Sequence, residues 1–192
     1  MFKFFCALIC KFQGWKVRID LPADLRAFVL IGAPHTANND FFLAMALNYH
    51  LHRNTKFVIK KEWLRFPLNF FFKPLGAVGV DRNAIKNSKS LNSTDLIADL
   101  FKGKSEFVLM ISPEGTRKPN SVWKTGFYYI AQKAQVPIVL GYADFKTKTL
   151  GASQVIFPTD FELDMAGIMN FYSSIKGKIP TNFALDDRFR AK

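Results

Sequence analysis

His35 and Asp40 stand five positions apart, with Thr36, Ala37, Asn38 and Asn39 between them. Across a turn, that spacing lets the carboxylate fold back toward one ring nitrogen of the imidazole. It would fix the tautomer, leave the other nitrogen free to take a proton, and stabilise the imidazolium that forms. Such a pair is a general base, and it needs no serine or cysteine nucleophile when the substrate brings its own hydroxyl. The two residues also fit a plainer description, a loop histidine satisfied by a helix-capping aspartate. His-x4-Asp taken alone does not decide between the two.

The elements on either side of the pair are those an active-site loop needs. Residues 27–31, Ala-Phe-Val-Leu-Ile, read as a buried strand, and residues 41–47 read as a buried helix. The Gly32-Ala33-Pro34 turn stops the strand and leaves His35 at its carboxyl end, where open α/β sheets place their ligands. Asn38 or Asn39 is expected to cap the helix, with Asp40 in its first turn, where the helix dipole favours a carboxylate.

Further along, strands are expected at residues 56–60, 76–80, 107–111, 137–140 and 155–157. Helices are expected at 95–102 (closed by Gly103), 126–134 and 161–175. Residues 62–75 hold too many large aromatics for an ordinary surface helix. No internal repeat or linker interrupts the alternation, so the predicted fold is a single α/β domain over 1–192, a largely parallel or mixed sheet flanked by helices. Polar groups follow several strands: His35 after the first, Lys60 after the second, Arg82 after the third, Glu114 to Arg117 after the fourth. Singly, each reads as a solvated surface charge. On parallel strands they share one edge, where Arg82 and Arg117 can each offer a guanidinium fork to a phosphate.

Lys and Arg total 27 against 15 Asp and Glu, a formal charge of +12 that favours polyanionic partners. The basic residues are spread along the chain and no RNA-binding aromatic motif occurs, so nucleic acid is not the expected partner. The 21 phenylalanines supply a core and leave enough for an apolar outer surface. No apolar run near the start approaches the about 20 residues of a spanning helix. Residues 1–12, Phe-rich with Lys3, Lys11, Lys16 and Arg18 around them, suit either a membrane interface or a terminal helix packed on the core. Cys6 and Cys10, one helical turn apart, read as small apolar residues on a helix face. No residue set with metal-ligand spacing emerges.

Four blocks occur in order: His35-x4-Asp40; Gly76-Ala77-Val78-Gly79-Val80-Asp81-Arg82; Pro113-Glu114-Gly115-Thr116-Arg117; Val136-Pro137-Ile138-Val139. Together they resemble the sequence blocks of the glycerolipid acyltransferase family, best known from the 1-acyl-sn-glycerol-3-phosphate acyltransferases. The Glu-Gly-Thr-Arg block is the most specific part. The Trp123-Lys124-Thr125-Gly126 stretch also resembles the residues that come after the third block in that family. The resemblance spans roughly residues 27 to 142.

The resemblance implies acyl transfer from a thioester, acyl-CoA or acyl carrier protein, to the hydroxyl of a lysolipid such as 1-acyl-sn-glycerol-3-phosphate, with no cofactor. By position, His35 is the base and Asp40 orients it. Arg82 and Arg117 contact the acceptor phosphate, and Glu114, Gly115 and Thr116 shape the acceptor pocket. The oxyanion needs donors, for which N–H groups at the helix start near Asp40 are candidates. Residues 27–145 would then be the catalytic core, 1–26 a membrane-interface segment and 146–192 a C-terminal strand and helix. Residues 1–12 and 66–75 would attach the protein peripherally to the cytoplasmic side of a membrane. Two positions depart from the family pattern: Ala37 where a serine is common, and Asn39 where an aromatic often stands. These open a second acceptor class, another lysolipid such as an acylated amino acid. A non-catalytic basic binder of membrane or RNA is the reading of a different class, and it leaves His35, Asp40 and residues 114–117 without a role.

Overall fold

The computed structural model describes residues 1–80 and 93–190. Its centre is a strand that needs no polar face. Phe28, Val29, Leu30 and Ile31 of β2 (Ala27–Gly32) are fully excluded from solvent. Because strand side chains alternate, Val29 and Ile31 enter one core and Phe28 and Leu30 the other. The same alternation divides β5 (Phe107–Ile111), with Phe107 and Leu109 on one side and Val108 on the other. A strand apolar on both faces is stable only when helices cover both, and the architecture follows from that.

One cover is built from α1 (Phe2–Phe12), α2 (Asp40–Leu51) and α3 (Asn69–Leu75). The other holds α4 (Ser93–Ala98), α5 (Gly126–Ala134) and α6 (Phe161–Ser173). Between them lies a seven-stranded sheet, completed by β1 (Lys16–Ile19), β3 (Thr55–Lys60), β4 (Ala77–Val80), β6 (Ile138–Asp144) and β7 (Thr149–Ile156), in the order β1-β7-β6-β2-β5-β3-β4. Strands β6, β2, β5, β3 and β4 run parallel, and β7 returns antiparallel beside β6. This is the mixed, mostly parallel sheet that the alternating pattern predicts.

The structure adds to or alters the sequence expectation at four places. Strand β1 falls within residues 1–26, where the pattern predicts no strand; its side chains are largely exposed, and it is held by parallel pairing to β7. Strand β7 begins at Thr149, well before the apolar 155–157, because Leu150, Gly151 and Ala152 are buried without forming a hydrophobic run. Residues 62–75 divide into a 3-10 turn (Lys61–Leu64) and the short α3. The helix expected at 95–102 is α4 followed by a 3-10 turn (Asp99–Phe101), with Gly103 at φ +68°. Cys6 and Cys10 are free thiols on the buried side of α1.

Strand order creates the crevice. After β2 the chain passes to α2 on one cover, and after the neighbouring β5 it passes to α5 on the other. Adjacent strand ends whose connections diverge to opposite faces leave an opening at the carboxyl edge, the ligand position of open α/β sheets.

Candidate active site

His35 follows β2 at that carboxyl edge. Its Nδ1 lies 3.3 Å from Asp40 Oδ2, and its side chain is 30% exposed against 9% for Asp40. The distance is slightly beyond the about 2.7–3.2 Å of a full hydrogen bond. Asp40 is held in place for this contact by its own loop. Oδ2 accepts the backbone N–H of Thr36 at 2.7 Å and that of Ala37 at 2.8 Å. The carboxylate therefore ties residues 35–37 into a tight turn instead of capping the helix. Asn39 is at the N-cap position but makes no side-chain cap bond, contrary to the expected Asn cap. An asparagine there is unnecessary once the preceding turn is already closed by Asp40.

The same geometry bears on the oxyanion. The N–H groups of Thr36 and Ala37 go to Asp40, and those of Asp40, Phe41 and Phe42 go to the carbonyls of Ala37, Asn38 and Asn39. These helix-start donors, candidates on sequence grounds, are committed within the turn.

Glu114 approaches from the next strand. Its Oε1 accepts the His35 N–H at 2.7 Å, and the residue is 2% exposed. Burial pushes its carboxyl up to about 8; the His35 N–H opposes that rise, and the nearby Asp40 carboxylate adds to it. The loop that presents Glu114 turns through Gly115 at φ +67°, which a side chain would resist. A Cβ on Gly115 would also meet Lys124, standing 2.7 Å from its Nζ and 2.8 Å from Cε. Lys124 thus lies across Gly115, and its N–H bonds to the Pro113 carbonyl at 2.8 Å. Asn120 Nδ2 donates to the Glu114 carbonyl at 3.0 Å, and Thr116 Oγ1 accepts the Lys118 N–H at 3.2 Å. Arg117 is exposed beside them.

The structure thus brings His35, Asp40 and Glu114 into one bonded unit, with Gly115, Thr116 and Arg117 continuing from it. Lys60 ends β3 at the same sheet edge, and Arg82 lies outside the described residues. Sequence reasoning missed three contributors. Thr36 is almost fully buried, Ser112 Oγ is buried with no hydrogen-bond partner among the described residues (as is Oδ1 of the expected Asp40), and Lys124 crosses the Gly115 turn. Of these, Thr36 stood inside the His35-x4-Asp40 block and Lys124 within Trp123-Lys124-Thr125-Gly126, while Ser112 lies just before the block at 113–117.

Apolar surface begins immediately beside the pair. Phe41 and Phe42 follow Asp40, and their rings pack against Phe2 of α1. Phe2 meets Phe71 at 5.3 Å, Phe71 meets Phe72, and Phe72 meets Trp63. This chain of rings joins α1, α2 and α3. Phe5 and Phe12 of α1, and Trp63, Phe66 and Phe70 in or just before α3, are exposed.

Fold and site together define an α/β enzyme with a histidine, its carboxylate and a buried glutamic acid at the carboxyl edge of a mixed sheet. A family model described as Acyltransferase matches residues 17–139, and the chain belongs to that family. Among solved structures, it is similar to the 1-acyl-sn-glycerophosphate (LPA) acyltransferase PlsC from Thermotoga maritima. The TM-score is 0.55 with 18% sequence identity, over 83% of this chain and 69% of that one, a likeness of fold. No curated protein matches the sequence significantly.

Proposed function

We propose that this acyltransferase moves a fatty acyl chain from a thioester donor, acyl-CoA or acyl carrier protein, to the hydroxyl of a lysophospholipid such as 1-acyl-sn-glycerol-3-phosphate. The observation that carries the reading is the 3.3 Å approach of Asp40 Oδ2 to His35 Nδ1. With Nδ1–H directed at the carboxylate, Nε2 is left to accept the acceptor's proton. The acceptor oxygen attacks the thioester carbonyl, the tetrahedral adduct collapses, and the carbon–sulfur bond breaks. His35 returns its proton to the departing thiolate, so no covalent enzyme intermediate forms. Asp40 stabilises the imidazolium in between. Arg117, with Arg82 and Lys124, supplies cations for the acceptor phosphate. Similarity of fold to the 1-acyl-sn-glycerophosphate (LPA) acyltransferase of Thermotoga maritima supports this choice.

The aromatic face supports peripheral attachment to a membrane. Exposed Phe5, Phe12, Phe66 and Phe70 are accompanied by exposed Lys11, Arg65 and Lys73, an apolar surface rimmed by cations. No helix among the described residues is long and apolar enough to cross a membrane. Lying in the anionic leaflet, this face would deliver a lysolipid's acyl chain beside Phe41 and Phe42 and its headgroup toward His35 and Arg117.

The test is free thiol released when the purified protein is mixed with acyl-CoA or acyl carrier protein and lysophosphatidate on vesicles. Thiol release dependent on the lysolipid is the expected result. No release with either donor and any lysolipid, combined with salt-sensitive RNA binding, would favour the basic-binder reading instead.

A further inference from the structure

Thr36, the residue after the catalytic-loop histidine, has each of its three polar groups engaged. Its N–H goes to Asp40, its hydroxyl oxygen accepts the Ile179 N–H at 3.2 Å, and its carbonyl accepts Asn182 Nδ2 at 3.3 Å. Both outside partners come from the segment after α6. Gly177 of that segment packs so closely on the loop that a Cβ there would lie 2.8 Å from Thr36 Cγ2, 3.0 Å from its Oγ1 and 3.1 Å from Pro34 Cβ.

The segment is itself fixed at both ends. Upstream, the Lys176 N–H bonds to Asp144 Oδ1 at 3.1 Å, and the Lys176 carbonyl accepts the Phe145 N–H at 2.8 Å. Downstream, buried Asp186 Oδ2 accepts the Trp123 N–H at 2.9 Å, and Trp123 Nε1 donates to the Ala184 carbonyl at 3.0 Å. Arg188 bridges the Asp186 carboxylate and the Trp123 carbonyl. One strap thus runs from the end of β6, over the His35 loop, to the stretch downstream of Glu114.

We infer that residues 176–188 form a clasp that holds the His35 loop in register with Glu114, and that Thr36 is the positioning residue it grips. The gripping groups lie beyond residue 139, outside the span matched by the family model. In this chain the base is therefore held from two directions: Asp40 and Glu114 from within the matched region, the clasp from outside it. Removing the grip frees the loop without touching the imidazole, and small misplacements of a reacting group cost turnover more than binding.

The inference rests on His35 being the base, and steady-state kinetics of the full chain keep the two separable. Thr36→Val keeps the shape of the side chain and loses the acceptor for Ile179. It should lower kcat on the order of tenfold while KM for both substrates stays within about twofold. Thr36→Ser, which keeps the hydroxyl, should stay within about twofold of wild type in kcat. Gly177→Ala should lower kcat as well, and adding Thr36→Ser should recover part of the loss, because it removes the methyl that the new Cβ strikes. Asn182→Ala, at a half-exposed position, carries the same test should Thr36→Val not fold. Wild-type kcat in Gly177→Ala or Thr36→Val, or a double variant no faster than Gly177→Ala, would overturn the clasp. If His35→Ala kept its turnover, the base assignment would fail first. If His35→Ala were inactive while both grip variants stayed fully active, the clasp alone would fail.

Discussion

A partly exposed imidazole is an ordinary surface group until something fixes its tautomer and its place, and here two carboxyl groups lie against different atoms of His35. Asp40 faces the ring nitrogen and Glu114 takes the backbone N–H. His35→Ala should therefore lower kcat on the order of a thousandfold with an unchanged melting temperature, and retained turnover would remove it as base. Arg117→Ala should raise KM for a phosphorylated acceptor about tenfold and spare kcat; an unchanged KM would point to an acceptor without phosphate. Glu114 makes a pH prediction. Its pKa is raised from 4.5 to about 8 in the folded state, so the unfolded chain ionises first as pH rises. The group's stabilising contribution is complete below pH 4.5, declines through the window up to about 8, and is gone above it. Glu114→Gln stays neutral and keeps an oxygen for the His35 N–H. Thermal melts across that window should show a slope of at most about 1.4 kcal/mol per pH unit in wild type that flattens in the variant. Equal slopes in the two proteins would refute the buried, protonated carboxyl.

At the scale of elements, β2 and β5 set the chemistry by being neighbours, and β7 does something similar for the far side of the sheet. Gly151 stands opposite Tyr142 on β6 and Arg18 on β1. A Cβ there would fall 2.6 Å from the Tyr142 ring and 2.8 Å from the Arg18 carbonyl. Gly151→Ala should destabilise the fold by about 1–3 kcal/mol through overpacking, read as a lower urea midpoint. Unchanged stability would mean that the β1 edge gives way freely. Helix α1 has two unlike faces: Cys6, Ala7 and Cys10 are buried against the core, leaving Phe4, Phe5, Ile9 and Phe12 outward. The core-packed alternative for residues 1–12 is therefore met by the buried side of α1, and the outward side is the one the proposed membrane contact would use.

For the molecule as a whole, the proposed membrane attachment would draw on the +12 charge and the exposed aromatic side chains together. Binding to vesicles of anionic lipid should weaken as salt is raised from about 0.05 to about 0.5 M, since screening shortens the reach of the lysines and arginines. Replacing Phe5, Phe12, Phe66 and Phe70 by serine should abolish vesicle sedimentation at all salt concentrations while leaving the melting temperature intact, because these rings are already in solvent. Undiminished sedimentation would place the lipid contact on another surface.

The features that the sequence determined by itself were those with a local physical signature. The fully apolar runs at 28–31 and 107–111 can be stable only as strands covered on both faces, and that requirement specifies an α/β sandwich. The five-residue spacing of His35 and Asp40 lies within the reach of a single turn, so their meeting needed no knowledge of the rest of the chain. Tertiary structure alone decided whatever joins distant residues. Strand order placed β5 beside β2, which sets Glu114 under a histidine 79 positions earlier. The clasp brings Ile179 to Thr36 across 143 positions. Strand β1, with few buried side chains, exists because β7 offers it backbone partners. Contacts of that range depend on how whole layers pack, and neither periodicity nor composition near either partner records them.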